Sequence, residues 1–379
     1  MSATLANWRQ APFNVWAFGN VDKLIPVATI RAGKPGPALA SLDWNTALVA
    51  LEAGGHSLSF AEVLEKTATD GILVLKAGRI AHESYRNGTA ETCHILFSVS
   101  KSVTGILAGI LVGKGLLDPA APVSRYVPEI AASAYGAAAV RHVLDMTVGI
   151  TFVEDYLDTT GAFARYRAVT GWNPPNPAFG EEGLHGFLAS LPPDGTMHGE
   201  AFHYVSPNSD LLGWIVERAA GRPLPQFLSE SLWQPIGAEY DAFVTVDAYG
   251  ASRTAGGICM TLRDLARFAE MVRLRGSANG RQIVPAQWIS DMWQSGDPAA
   301  WQKGDMVNLF PQGRYRSQWY VADEKRSTLC AIGIHGQWIY IDAEAELVIV
   351  KQSSQKNPSD IEMDLLTLEL FKAISRSFQ

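Results

Sequence analysis

Cysteine is scarce in this sequence. The 379 residues include 3 cysteines, Cys93, Cys259 and Cys330, which lie far apart and are odd in number. A disulfide framework needs paired cysteines, and free thiols are usual in reducing compartments. We therefore predict a cytoplasmic protein without disulfides. The His, Cys, Asp and Glu residues also lack the spacing of metal-binding motifs, so the sequence predicts neither a metal site nor a cofactor.

Long apolar runs and basic runs are missing as well. No stretch reaches the length of about 18 apolar residues that a membrane span requires. Residues 1–17 lack the basic segment and apolar core of a signal peptide. The net charge of -7, without a basic run, argues against nucleic acid as a partner. Small molecules are the expected partners, and whether the chain is a monomer or a homodimer stays open.

Apolar residues, by contrast, are plentiful. Hydrophobic residues make up 47% of the chain and charged residues 18%, which is typical of a globular protein with a large core. The length is compatible with one large domain that carries an insertion, or with two domains.

Strand signals occur toward both ends of the chain. Residues 71–85 have the pattern of a β-hairpin, and residues 316–351 alternate strand-like runs with turns. A final helix is predicted from Asp360, with Ser359 and Glu362 as its capping box. We predict an α+β fold (an α/β sandwich), in which an antiparallel sheet built from both chain ends is flanked by helices. Residues 1–119 and 241–379 would form this α/β domain, and residues 120–240 an inserted all-helical domain.

Ser98 and Lys101 form a Ser-x-x-Lys pair. An apolar run at helical spacing follows, so we predict a helix that begins near Ser98. Residues i and i+3 share one face of a helix, and the lysine amine would therefore reach the serine hydroxyl. A nucleophilic serine needs a base, and lysine can be that base when apolar surroundings lower its pKa. The alternative is a plain helix start, with Ser98 as N-cap and Lys101 on the surface.

Residues 151–179 form a long segment rich in aromatic side chains, among them Tyr156 and Trp172. The segment ends in a proline-rich run, and we predict a loop. Loops of this length in compact domains are usually functional, so this segment is the expected substrate loop.

Two later motifs complete a candidate site around Ser98. Tyr204 comes just before a predicted helix and is a candidate proton donor; a packing residue is the alternative. Gly333 and Ile334 lie in a strand pattern. Glycine in a strand marks the close approach of another backbone or a ligand, and an N–H group there can bind an oxyanion. The alternative is a bulge or a strand end.

The order and spacing of these motifs resemble the serine β-lactamase and penicillin-binding protein superfamily. Tyr204-Val205-Ser206 stands in place of Ser-Asp-Asn, and the third motif lacks Lys-Thr-Gly. This combination resembles the esterase and amidase branch, and within it the 6-aminohexanoate-dimer (nylon oligomer) hydrolases and related carboxylesterases. The likeness extends over nearly the whole chain, in segments that include Trp16-Ala17-Phe18, Glu154-Asp155-Tyr156, Gly171-Trp172, Gln318-Trp319 and residues 333–337.

The resemblance implies a serine hydrolase that cleaves amide or ester bonds of small linear molecules through an acyl-enzyme. By position, Ser98 would be the nucleophile, Lys101 its base and Tyr204 the acid that protonates the leaving group. The backbone N–H groups of Ser98 and Ile334 would form the oxyanion hole, and Tyr156 would orient the amide. The substrate-binding residues that the resemblance implies are Tyr156, Arg167, Trp172, Ser206, Asn208, Trp319 and His335.

One departure bears on the substrate. Where the nylon hydrolases place an acid for the substrate ammonium, this chain has Tyr166-Arg167. Arg167 would repel an ammonium and favour a neutral or anionic group if its side chain faces the pocket. Glu154, Asp155 and Asp158 are nearby, with a structural role as the alternative. The nylon dimer is therefore not assigned as the natural substrate.

Other classes of protein fit less well. An α/β-hydrolase would need Gly-x-Ser-x-Gly, which the sequence lacks. A non-catalytic binding protein of the same fold should have lost Ser98, Lys101 or Tyr204. The choice between amide and ester stays open, and a carboxylesterase with little amidase activity is the alternative, because esters need less protonation of the leaving group.

Overall fold

The central element of the fold is a seven-stranded antiparallel sheet in a computed structural model that describes residues 2–53, 56–179, 182–323 and 327–378. Strand Leu347–Ser353 pairs with strand Thr69–Lys76, so that Val350 lies opposite Leu73. This pairing joins the C-terminal strands to the early hairpin and confirms the predicted sheet built from both ends of the chain. In spatial order the strands are Arg314–Arg316, Trp319–Val321, Thr328–Gly333, Gln337–Asp342, Leu347–Ser353, Thr69–Lys76 and Arg79–Tyr85.

A second sheet was not predicted. It has four short antiparallel strands, in the order Val27–Ile30, Ala242–Thr245, Ile258–Met260 and His94–Ile95. Strands of two to four residues are too short to show an alternating pattern. Two further strand pairs join Ala50–Ala53 to His56–Ser59 and Ser277–Ala278 to Arg281–Gln282.

Helices cover the sheets and fill the middle of the chain, which confirms the α+β class. The α-helices in the described residues are Phe13–Ala17, Phe60–Lys66, Val99–Gly113, Val140–Leu144, Ala162–Val169, Gly183–Ser190, Ser206–Ala220, Leu224–Leu228, Leu262–Arg273, Ala286–Gln294, Pro298–Gln302 and Ile361–Arg376. Short 3-10 turns occur at Val21–Lys23, Thr46–Leu48, Val123–Arg125, Pro128–Ile130 and Pro177–Phe179, and a π-helical turn at Ser229–Trp233. None of the helices in this part of the chain has both the length and the apolar character that a membrane span requires.

Two local predictions were wrong. Residues 151–179 are not one loop, because they contain the helix Ala162–Val169. The C-terminal helix is capped by Asp360, whose carboxylate accepts a hydrogen bond from Met363 N, and not by Ser359. Several neighbouring residues can supply a capping oxygen, and the sequence alone does not say which backbone turns first.

The helix Val99–Gly113 lies at the centre of the fold. Its residues Val99 through Leu111 are all buried. Gly105 permits this burial, since a Cβ there would lie 2.2 Å from Ser317 O. The largest hydrophobic cluster includes Leu73, Val143 and Val350, and so crosses the predicted boundaries of the helical region. The division into two domains therefore stays a prediction.

Candidate active site

Ser98 follows a sharp reversal of the backbone. Phe97, between the strand His94–Ile95 and the central helix, has φ of +44°, a left-handed conformation that costs a bulky residue energy. Trp8 stacks on the Phe97 ring at 6.1 Å and Phe18 meets it edge-on at 4.9 Å, and these contacts hold the turn. Ser98 stands at the N-cap position of the central helix, as the alternative expected, but its hydroxyl makes no capping bond to that helix.

The Lys101 amine lies beneath this hydroxyl. Lys101 Nζ is 2.8 Å from Ser98 Oγ, 3.0 Å from Ser206 Oγ and 2.8 Å from the carbonyl oxygen of Ala255. The side chain is only 1% exposed, which excludes the surface-lysine alternative. Burial lowers the pKa of Lys101 to about 7, although the nearby Glu154 carboxylate acts to raise it. A substantial fraction of the amine is therefore neutral near pH 7.

Ser206 links the lysine to an acidic residue. Ser206 Oγ donates a short hydrogen bond to Glu154 Oε1, and Ser206 N donates to Glu154 Oε2 at 3.0 Å. The Tyr156 hydroxyl also bonds to Glu154, and burial raises the pKa of Tyr156 well above 10. The sequence resemblance assigned Ser206 to substrate binding, whereas the structure shows it between Lys101 and Glu154.

Tyr204 contacts the same serine from another side. Its hydroxyl is hydrogen-bonded to Ser98 and to Tyr320, and its ring centroid lies 5.1 Å from Lys101 Nζ. Burial raises the pKa of Tyr204 far above 10, with Glu154 adding to the effect, although the two hydrogen bonds act to lower it. The phenol therefore carries its proton at neutral pH.

Gly333 brings the end of strand Thr328–Gly333 against Ser98. A Cβ at Gly333 would lie 3.1 Å from Ser98 N and 2.6 Å from Leu96 O, so only glycine allows this approach. His335 follows with φ of +61°, and its Nδ1–H donates to Gln355 O at 2.7 Å. Burial lowers the pKa of His335 to about 4, so this ring is neutral.

A cavity of about 550 Å³ opens over Ser98. Its wall includes the segment Leu5–Ala11, the loop near Tyr156 and residues 356–358. The predicted site residues that line it are Ser98, Tyr156, Arg167, Trp172, Ser206, Ile334 and His335.

Two predicted substrate-binding residues do not line the cavity. Asn208 is fully buried, and its Oδ1 accepts a hydrogen bond from the Tyr135 hydroxyl at 2.9 Å. Trp319 is also fully buried, donates its indole N–H to Ser102 O at 3.2 Å and stacks near Phe268. Both side chains are buried in the core, so their predicted assignment to substrate binding is wrong.

Comparison with known proteins identifies the family. The beta-lactamase family model matches residues 60–371. The chain belongs to the beta-lactamase family.

Several known proteins are similar to this chain. A 6-aminohexanoate-dimer hydrolase of Paenarthrobacter ureafaciens is 38% identical over 357 residues, which cover 94% of this chain and 89% of the relative. The structure of a Bacillus anthracis protein, provisionally named a 6-aminohexanoate-dimer hydrolase, superposes with a TM-score of 0.90 at 22% identity, over 99% of this chain and 98% of that one. A family VIII carboxylesterase superposes with a TM-score of 0.63 at 17% identity over 84% and 95% of the two chains; at such identities the likeness shows the fold alone. The sequence prediction of a hydrolase is confirmed.

This member of the beta-lactamase family has a buried ion pair that the sequence did not reveal. Arg253 lines the cavity and bonds to Asp210 and to the Tyr166 hydroxyl. Burial opposes the charge of Arg253, but Asp210, Tyr166 and Glu154 together outweigh it, and the pKa of Arg253 is raised. Asp210 also accepts from Ala255 N at 2.7 Å, so it positions the carbonyl that Lys101 contacts.

No group of three or more His, Cys, Asp or Glu side chains in the described ranges is arranged to hold a metal ion. The groups around the Ser98 hydroxyl are the amine of Lys101, the phenol of Tyr204, the hydroxyl of Ser206 and the carboxylate of Glu154. Such groups can donate and accept protons.

Proposed function

We propose that this hydrolase cleaves amide bonds, and also esters, of small linear molecules through an acyl-enzyme on Ser98. The observation that carries the proposal is the 2.8 Å separation between Lys101 Nζ and Ser98 Oγ in a buried site. The nylon-dimer relative, whose name specifies an amide substrate, supports this class of reaction.

The contacts of Lys101 account for every proton of a neutral amine. A carbonyl oxygen only accepts, so one N–H donates to Ala255 O. Ser206 donates its own proton to Glu154, so its oxygen accepts the second N–H. A neutral amine then has one lone pair left, and this lone pair faces Ser98 Oγ. In this arrangement Lys101 accepts the hydroxyl proton as Ser98 attacks.

The reaction then follows in balanced steps. Ser98 Oγ forms a bond to the substrate carbonyl carbon while its proton passes to Lys101. The carbonyl oxygen becomes an oxyanion, for which the N–H groups of Ser98 and Ile334 are the proposed donors; the close approach of Gly333 to Ser98 N supports this assignment. Tyr204 gives its proton to the leaving nitrogen or oxygen as the bond to the carbonyl carbon breaks, and the phenol regains a proton from Lys101. Water then attacks the acyl carbon while its proton passes to Lys101. The bond to Ser98 Oγ breaks, Ser98 regains a proton from Lys101, and the acid is released.

A carboxylesterase with little amidase activity is the second candidate. The high pKa of Tyr204 favours it, because a weak acid serves an alkoxide leaving group better than an amide nitrogen. Tyr156, hydrogen-bonded to Glu154 beside the cavity, favours the amide, because its hydroxyl can orient the amide nitrogen.

Labelling tests the nucleophile. A fluorophosphonate should modify Ser98 alone, and Ser98→Ala should lose both labelling and hydrolysis of p-nitrophenyl esters and p-nitroanilides. Label on another residue, or hydrolysis that survives in Ser98→Ala, would contradict the proposal. The ratio of anilide to ester turnover decides between amidase and esterase.

The proposal includes a cytoplasmic location. Cys93, Cys259 and Cys330 are free thiols, which fits a reducing cytoplasm. Whether the chain pairs as a homodimer stays a prediction, and its mass in solution would decide.

A further inference from the structure

The charges of the cavity wall are unequal. Of the described residues that line it, Glu154 alone carries a carboxylate, whereas Arg9, Arg167, Arg253 and Lys356 carry positive charge. Arg253 is neutralised by its buried partner Asp210. The wall therefore has an excess of positive charge.

Glu154 is not available to a cationic substrate. Its two oxygens accept the hydroxyl and backbone protons of Ser206, and it also bonds to Tyr156. Its charge also acts to raise the pKa of Lys101. An ammonium in the cavity would have to compete with these contacts.

Arg9, unlike Glu154, is available to a substrate of opposite charge. Its guanidinium lies over the Trp8 ring, 4.9 Å from the centroid, and donates to Trp172 O at 3.0 Å and to Asn173 Oδ1 at 2.5 Å. Both acceptors are neutral, and an arginine has five N–H groups. Within the described ranges, Arg9 forms no ion pair, and its remaining N–H groups have no acceptor.

The charged groups around Arg9 also favour the binding of an anion. Burial lowers the pKa of Arg9, and the like charges of Arg167 and Arg253 contribute to the fall, which brings it to about 9. Arg167 donates to the carbonyl oxygens of Tyr156 and Asp158, so its guanidinium holds this segment and adds positive charge to the wall, which Asp155 and Asp158 offset in part. A bound anion would relieve this repulsion. Trp8, on which Arg9 stacks, itself stacks on Phe97 next to Ser98.

We propose that the substrate carries a carboxylate, which Arg9 binds, with Arg167 adding to the attraction. The planar fork of a guanidinium matches a carboxylate through two parallel hydrogen bonds. This inference rests on the proposed function, since it names the class of substrate for the same site. Arg9 is thus a specificity-determining residue, contributed by the N-terminal segment.

The first test of this inference compares two series of substrates with the parent protein. The p-nitrophenyl esters of pentanoic acid, of glutaric acid (the monoester) and of 4-(trimethylammonio)butyric acid place a neutral, anionic or cationic end on an acyl chain of similar length. N-Butyryl-6-aminohexanoate and its terminal carboxamide place the charge on the leaving group instead. We expect kcat/KM to be at least tenfold higher for the anionic member in one of the two series. Hydrolysis without such a preference in either series would overturn the inference, whereas no hydrolysis of any substrate would count against the proposed function.

Variants then show which residue causes the preference for the anionic substrate. Arg9→Gln should lower kcat/KM for the anionic substrate at least tenfold more than for its neutral counterpart. Arg31→Gln is the matched control, because it removes the same charge from an exposed arginine paired with Asp241, and it should leave the preference intact. Equal losses on both substrates in Arg9→Gln would show that Arg9 only positions the segment at Trp172, and would refute its role in binding. If Arg9→Gln does not fold, protection of the parent against fluorophosphonate by glutarate, and not by glutaramide, is the corresponding result; equal protection by the two would overturn the inference.

Discussion

The pH dependence of activity should respond to Glu154, a residue that does not itself take part in bond breaking. In the proposed mechanism Lys101 must be neutral, so kcat/KM should rise with pH and reach half its maximum near the Lys101 pKa of about 7. Glu154 stabilises the protonated amine and so raises this pKa. Glu154→Gln removes the charge, so the pKa of Lys101 should fall and the ascending limb should move to lower pH.

The size of the shift follows from the geometry. Lys101 Nζ and Glu154 Oε1 are both hydrogen-bonded to Ser206 Oγ, which places them roughly 5 Å apart. At an effective dielectric constant of ~20, two unit charges at this separation interact by about 3 kcal/mol, equivalent to roughly 2 pH units. Glu154 lines the cavity, where water screens part of the interaction, so we expect a shift of about 1 pH unit.

The assay is kcat/KM for a p-nitrophenyl ester from pH 5 to pH 9, at constant ionic strength. Glu182→Gln is the control, since this surface carboxylate pairs with Arg165 and not with the site. Its profile should match the parent. An ascending limb in Glu154→Gln that stays in place or moves to higher pH would refute Lys101 as the titrating base, or its coupling to Glu154.

Three further perturbations probe the site and its support. Lys101→Arg should lower kcat by at least about 1000-fold, or roughly 4 kcal/mol in barrier, because arginine stays protonated; activity within tenfold of the parent would place the base elsewhere. Tyr156→Phe should lower amide turnover at least tenfold more than ester turnover, measured on a matched anilide and ester, and equal losses would show that the tyrosine only packs. Asp210→Asn should destabilise the fold by about 3–5 kcal/mol in urea denaturation, because Arg253 would stay buried without its partner. Asp241→Asn, at an exposed pair, is its control and should cost no more than about 1 kcal/mol; a similar loss in both variants would contradict the importance of burial.

Much of the fold could be predicted from local patterns. The hairpin strands Thr69–Lys76 and Arg79–Tyr85 and the helix Val99–Gly113 follow from alternating and helical periodicities, which neighbouring residues determine. The second sheet could not be predicted, because each strand is stabilised by partners far away in the chain. His94–Ile95, for example, pairs with residues 259–260.

The sequence by itself determined the chemical core of this protein. Ser98 and Lys101 are three positions apart, and helix geometry alone brings two such side chains together. The tertiary structure decided everything that depends on burial and long-range contact. Burial lowers the pKa of Lys101 to about 7, and Glu154 acts on it only because a segment 52 residues away from Ser206 folds over the site. Polar and aromatic residues occur in cores and in cavities alike, so only the packed structure could separate Arg9, in the cavity wall, from Trp319, in the core.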